Sequence, residues 1–191
     1  RSCWADSVNH PQAVYQMNTG SILMGKPCLG SWTCYGLGTE NQDLPAFVVL
    51  PDPGGGIKGG PPAYGSGFLP ASYQGTVVRS REPRILNLDP PPNLAGAPQE
   101  QFLGFLQELN QKHLAEHPGE SDLAARMSNY RLAARMQTAA KEALDVSQES
   151  AATHKMYGLD EDPTREFGTR CLIARRLVER GVRFVQLYIN S

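Results

Sequence analysis

"REFGTRCLIARRLVERGVRFVQLYI", residues 165–189, runs from an amphipathic stretch through one glycine into a short apolar segment. Phe167, Cys171, Leu172, Leu177 and Val178 recur at helical spacing with Arg and Glu between them. The pattern predicts a helix with those five on its apolar face and the charges on a solvated one. Arg175 or Arg176 is then placed to pair with an acid nearby. Gly181 stands where a left-handed residue closes a helix, and "VRFVQLYI", residues 182–189, follows as a strand. Helix, glycine and strand make half of a βαβ unit, whose strands run parallel. Ligands in open sheets of this class bind outside the carboxyl ends of the strands, which singles out Asn190 at this strand's tip.

A second buried strand is predicted from "LPAFVVLP", residues 44–51, a β-branched apolar run bounded by prolines. Between the two strands the composition changes twice. Gly and Pro concentrate in residues 51–98, which read as an ordered loop region because Tyr64, Phe68, Leu69 and Tyr73 are too apolar for a disordered linker. "RILNLDPPP" adds one brief strand to that expectation, before its prolines enforce extended chain. Residues 99–157 then read as a helical hairpin beside the sheet. Its first helix carries Phe102, Phe105, Leu106, Leu109 and Leu114, its second Leu123, Met127, Tyr130, Ala134 and Met136, and a short amphipathic turn covers 147–157. With residues 1–50 as core helices and a strand, and 164–191 as the last helix and strand, the 191 residues form part of one α/β domain.

The totals exclude more than they assign. Eighteen basic and nineteen acidic side chains give a net charge of −1 and no basic cluster, so nucleic acid is not expected as a partner. No run of about 18 apolar residues is present, so no membrane span is expected. Cys3, Cys28, Cys34 and Cys171 lack metal-ligand spacing, and the strict geometry of a disulfide leaves Cys28 and Cys34 expected as free thiols. "HLAEH", residues 113–117, places two imidazoles one turn apart, but Pro118-Gly119 ends the helix there and no third ligand follows; an exposed helix end is expected. "GLGTEN" and "GGGIKGG" lack the features of a phosphate loop and read as turns. His154 reads as a surface residue.

The richest chemistry lies in "DSVNHPQAVYQMNTG", residues 6–20. Pro11 and Gly20 bracket a helix over 12–19 with Asn9 or His10 as cap. A helix N-terminus presents free N–H groups and partial positive charge, which suit a sulfate or phosphate oxyanion. Ser7 or Asp6 could attack an ester held there, with Asn9 and His10 on the anion side, although capping alone also explains these residue types.

Five segments, "RSCWADSVNHPQAVYQMNTG", "GKPCLGSWTCYGLGTENQDLPAFVVL", "SGFLPASYQGT", "RLAARMQTAAKEALDVSQES" and "CLIARRLVERGVRFVQLY", together resemble a large family of exported bacterial proteins related to the sulfatases, within the alkaline phosphatase superfamily. The resemblance implies a three-layer α/β/α sandwich and a metal-dependent hydrolase of sulfate or phosphate esters, periplasmic or secreted. It implies a divalent zinc, calcium or magnesium ion, most of whose ligands lie in segments flanking these residues. Thr19-Gly20 matches the close of the nucleophile-bearing helix. Aligned on Asn9-His10, Ala5 or Asp6 takes the place where phosphodiesterase relatives carry Thr, and Ser7 takes it after a shift, so the nucleophile stays open between Asp6 and Ser7. Ser7, Asp6 and His10 are thus the expected catalytic residues, and Asn9, Tyr64, Phe68, Tyr73 and Asn190 the substrate-binding ones, for a small-molecule or glycan ester. A non-catalytic binding or assembly protein on the same sandwich is the alternative, since fold alone does not confer activity.

Overall fold

The computed structural model describes residues 3–118 and 121–189. Its sheet has three parallel strands in the order β2-β1-β3, with β1 at Phe47–Leu50, β2 at Thr76–Val77 and β3 at Phe184–Leu187. Val48 is opposite Thr76 on one side and Val185 on the other. All four residues of β1 are buried, as a central strand covered on both faces requires.

Alternation along β1 divides the core in two. Phe47 and Val49 face Cys28 and Cys34, which flank and enter α2 at Leu29–Leu37. Val48 and Leu50 face Met136, Ala140 and Ala143 of α4 at Ser121–Leu144, together with Ile173 and Leu177 of α6 at Asp162–Glu179. Helices therefore cover both faces of a small parallel sheet, and the α/β architecture expected from the two apolar runs is present. The second helix of the hairpin supplies core residues, whereas α3 at Ala97–Glu116 buries none of its side chains. A short helix, α5 at Ala151–Met156, is capped by Ser150 and occupies the region predicted as an amphipathic turn.

Helix α1 spans His10–Thr19, two residues longer at its start than predicted. Asn9 takes the extended cap conformation, Pro11 fits in the first turn where its missing N–H costs nothing, and Gly20 closes the helix at φ 76°.

Two expectations are corrected. No strand forms at "RILNLDPPP"; the third strand is Thr76–Val77, inside the region read as loop. Gly75 makes this pairing possible, because a Cβ there would lie 2.6 Å from Val49 Cγ2 and push the chain away from β1. The residues after β2 turn back through a bond from Arg79 N–H to the Arg84 carbonyl, and Ile85 and Leu88 pack on the core as irregular chain. The second correction concerns α6. Phe167 and Val178 are exposed, while Arg170 and Arg176, assigned to the solvated face, are buried with Leu172, Ile173 and Leu177.

The buried arginines are there because backbone carbonyls need donors. Arg176 donates to the Ala143 carbonyl at 3.1 Å and the Glu142 carbonyl at 2.6 Å, closing the end of α4, and also pairs with Glu149. Arg175 reaches the same carboxylate at 2.7 Å. One acid thus binds the predicted arginine pair and joins the hairpin to α6.

Candidate functional site

Three features meet at the carboxyl end of the sheet. The first is the turn "DPGGG" after β1, where the Asp52 Oδ1 accepts from the Gly54 N–H at 2.8 Å and the Asp52 carbonyl accepts from Gly56 N–H. The second is Arg170, whose Nη1 donates to the carbonyls of Pro51 at 3.2 Å and Tyr188 at 2.6 Å, while its Nη2 stands 3.8 Å from Asp52 Oδ2. The third is the first turn of α1. His10 lines a shallow depression of about 370 Å³ together with Leu187, Tyr188 and Ile189, so the start of this helix lies beside the end of β3. Further along α1, Asn18 accepts from the Gln186 amide, which fixes the helix against that strand. Asn190 lies outside the described residues.

Around the helix tip, the candidate residues are held by their own helix. Asp6 and Gln16 exchange two bonds, the Asp6 N–H donating to Gln16 Oε1 at 2.7 Å and the Gln16 amide donating to the Asp6 carboxylate. Ser7 donates to Gln12 Oε1 at 2.6 Å and accepts from the Asn9 N–H at 3.1 Å. Asn9 makes no side-chain capping bond, and since Pro11 has no N–H and the Ala13 N–H bonds the Asn9 carbonyl, the first turn of α1 leaves the His10 and Gln12 N–H groups to solvent or to an anion. Asp6, Asn9 and His10 are exposed and Ser7 is half-buried. Gln12 is a neutral acceptor, which orients the Ser7 hydroxyl without removing its proton.

The aromatic residues assigned to the substrate pocket make packing contacts of their own. Tyr64 packs on the cluster of Cys28, Phe47 and Val49, where burial raises its phenol above the usual range. Phe68 stands edge-on to Trp32 at 5.7 Å, and Tyr73 edge-on to Tyr35 at 5.3 Å. Tyr73 borders a cleft beside Ala46, Phe47 and Thr76, the residues at which β1 and β2 begin. Tyr73 and the tip of α1 are therefore at opposite ends of the strands.

A divalent ion needs several converging oxygen, nitrogen or sulfur donors. Among the described residues, one set of three brings its ligand atoms within 4.8 Å of each other: His113, Glu116 and His117, all exposed at the end of α3. The imidazole rings there are 4.4 Å apart. At the carboxyl end of the sheet, Asp52 is engaged by Gly54 and Arg170, and Asp6 by Gln16. The residues described there do not by themselves fit a divalent ion.

Sequence reasoning passed over Arg170 and Asp52. An aspartate directly after a buried parallel strand was the available signal for one of them. Arg170 gave none, since an arginine in an arginine-rich helix reads as solvated.

A family model described as "Protein of unknown function (DUF1501)" matches residues 1–191. No curated protein and no solved structure matches the chain. Among the described residues, no helix is long and apolar enough to cross a membrane.

Proposed function

We propose that this chain, which belongs to the DUF1501 family of proteins of unknown function, takes part in hydrolysis of sulfate or phosphate esters on an alkaline phosphatase-like sandwich, outside the bacterial cytoplasm. The observation that carries the reading is the shallow depression shared by His10, in the first turn of α1, and Leu187–Ile189 at the end of a parallel strand. An ester oxyanion placed there would receive the His10 and Gln12 N–H groups and the positive end of the helix dipole. Ser7 or Asp6 supplies the nucleophile, with Asn9 and His10 contacting the anion. A zinc, calcium or magnesium ion belongs to the proposal through the family resemblance, with ligands contributed from beyond these residues. When bound it would neutralise charge on the ester oxygens.

The second reading, a non-catalytic binding or assembly protein, is favoured by the bonds of Ser7 to Gln12 and of Asp6 to Gln16, which stabilise the helix start without any chemistry. Turnover of aryl sulfate and aryl phosphate by the protein, with each of the three metals added in turn, separates the two. Ester cleavage supports the hydrolase; no turnover and no bound metal leaves the binding protein standing.

A further inference from the structure

The cleft at the start of β1 and β2 has a volume of about 600 Å³, within the range of small-ligand sites. Its chemistry differs from that of the carboxyl end. Five carboxamides border it, those of Gln74, Asn87, Gln99, Asn129 and Gln137, along with the rings of Tyr73 and Tyr130. Among the described residues lining it, none is Asp, Glu, Lys, Arg or His.

In a chain with 18 basic and 19 acidic side chains, a cleft bordered by 23 residues without one charge is a selective surface. It offers nothing to pair with an anion or cation. Five amides instead present paired donors and acceptors in planar groups, which match neighbouring hydroxyls on a sugar ring. A floor that includes Phe47, Ile85, Leu103 and Met136 suits the apolar C–H faces of such rings.

The cleft also continues onto the surface. From Tyr73 at its margin, edge-on contacts run to Tyr35 at 5.3 Å, then to Trp32 at 6.1 Å and Phe68 at 5.7 Å. Trp32, Tyr35 and Phe68 are 44%, 52% and 68% exposed, and Tyr130 on the other wall is 53% exposed. A row of three exposed rings, Phe68, Trp32 and Tyr35, that reaches the half-buried Tyr73 at the margin of an amide-lined cleft calls for an extended ligand with repeating apolar and hydroxylated faces.

We propose that this cleft and its aromatic row bind an uncharged stretch of a glycan chain. The site stands apart from ester hydrolysis, since it lies at the other end of the strands and uses none of Asp6, Ser7, Asn9 or His10. Binding there would hold a polysaccharide on the protein whether or not the carboxyl end cleaves anything.

The test is calorimetric titration of the protein with neutral oligosaccharides of β-1,4-glucan, β-1,3-glucan, xylan and mannan, each at two chain lengths. At least one is expected to bind saturably, with the same affinity at low and high salt because no charge takes part. Tyr130→Ala and Gln137→Ala are each expected to weaken it about tenfold. Phe68→Ala is expected to weaken only the longer oligomers. Asn129→Asp, at an exposed position that leaves the fold intact, should also weaken binding by replacing amide donors with a charge. Absence of binding by all four glycans, affinity that falls with salt, or variants that bind like the parent would each overturn the proposal.

Discussion

The guanidinium of Arg170 stands 3.8 Å from the carboxylate of Asp52 at the carboxyl end of the central strand, with both side chains withdrawn from solvent. From that position Arg170 also bonds the Pro51 and Tyr188 carbonyls, so one side chain closes the ends of β1 and β3. Arg170→Met would remove the guanidinium donor from the Tyr188 carbonyl, one of two donors from the Pro51 carbonyl, and the cation beside the Asp52 carboxylate, at a cost of about 3–5 kcal/mol. Urea unfolding of the variant measures it, and a loss under about 1 kcal/mol would show that water replaces the guanidinium.

Glu149 joins two elements through Arg175 and Arg176, and those bonds, Arg175's first, hold its carboxyl below the ordinary value of 4.5. A carboxyl depressed in the folded state stabilises it above the unfolded value and stops doing so as pH falls through the folded one. Glu149→Gln is therefore less stable than the parent at neutral pH, and the gap closes only as pH falls through the depressed folded-state value of the Glu149 carboxyl. Denaturant midpoints over a pH series check this; parallel curves down to acid would dismiss the carboxylate as the cause.

Gly168 in α6 faces the Tyr157 carbonyl so closely that a Cβ would lie 1.9 Å from its oxygen. The opposing atom is backbone and cannot swing aside. Gly168→Ala should cost about 3 kcal/mol or more by forcing α6 away from the α5 exit. Gly104→Ala, with nothing within 4 Å, is the matched control and should be neutral or slightly stabilising in its helix. Thermal unfolding of the two separates crowding from helix propensity.

Four free thiols differ in access. Burial pushes the Cys34 thiol up to about 11 against the opposing pull of Arg183, whereas Cys3 is exposed. Since the thiolate is the reactive form, iodoacetamide near neutral pH should modify Cys3 and leave Cys28 and Cys34 untouched until the protein is unfolded. Mass spectrometry after timed alkylation gives the order; early modification of Cys34 would mean that α2 opens in the native state.

Ser7 and Asp6 are separated by the size of their effects. If turnover is found, replacing the nucleophile with Ala should lower it about 1,000-fold or more, while replacing the other residue removes a helix-start bond worth about 1 kcal/mol of stability. Steady-state rates and unfolding midpoints for Ser7→Ala and Asp6→Ala distinguish them. Equal, small effects on rate from both would place the nucleophile outside this stretch.

The legible parts of the fold were those encoded by periodicity and punctuation. Leu172 and Leu177 with Gly181, the run Phe47–Leu50, and Pro11 with Gly20 each specify a local element, because helix and strand repeats and the φ limits of Pro and Gly act within a few residues. Thr76–Val77 was missed because two residues carry no period; only the approach permitted by Gly75 makes them a strand. Phe167 and Val178 were placed inside and Arg170 and Arg176 outside because apolarity marks a core face only when no backbone carbonyl there needs a donor.

For the candidate sites the division is sharper. From the sequence alone follow the α/β class, the helix between Pro11 and Gly20, and the carboxyl end of the last strand as a place to look. Tertiary structure alone decided that Tyr73 borders a cleft at the far end of the strands, that five scattered amides share it, and that Arg170 meets Asp52 across 118 positions of chain. The reason is range: local bonding preferences are set by near neighbours, whereas a site is made of side chains whose proximity depends on how every element between them packs.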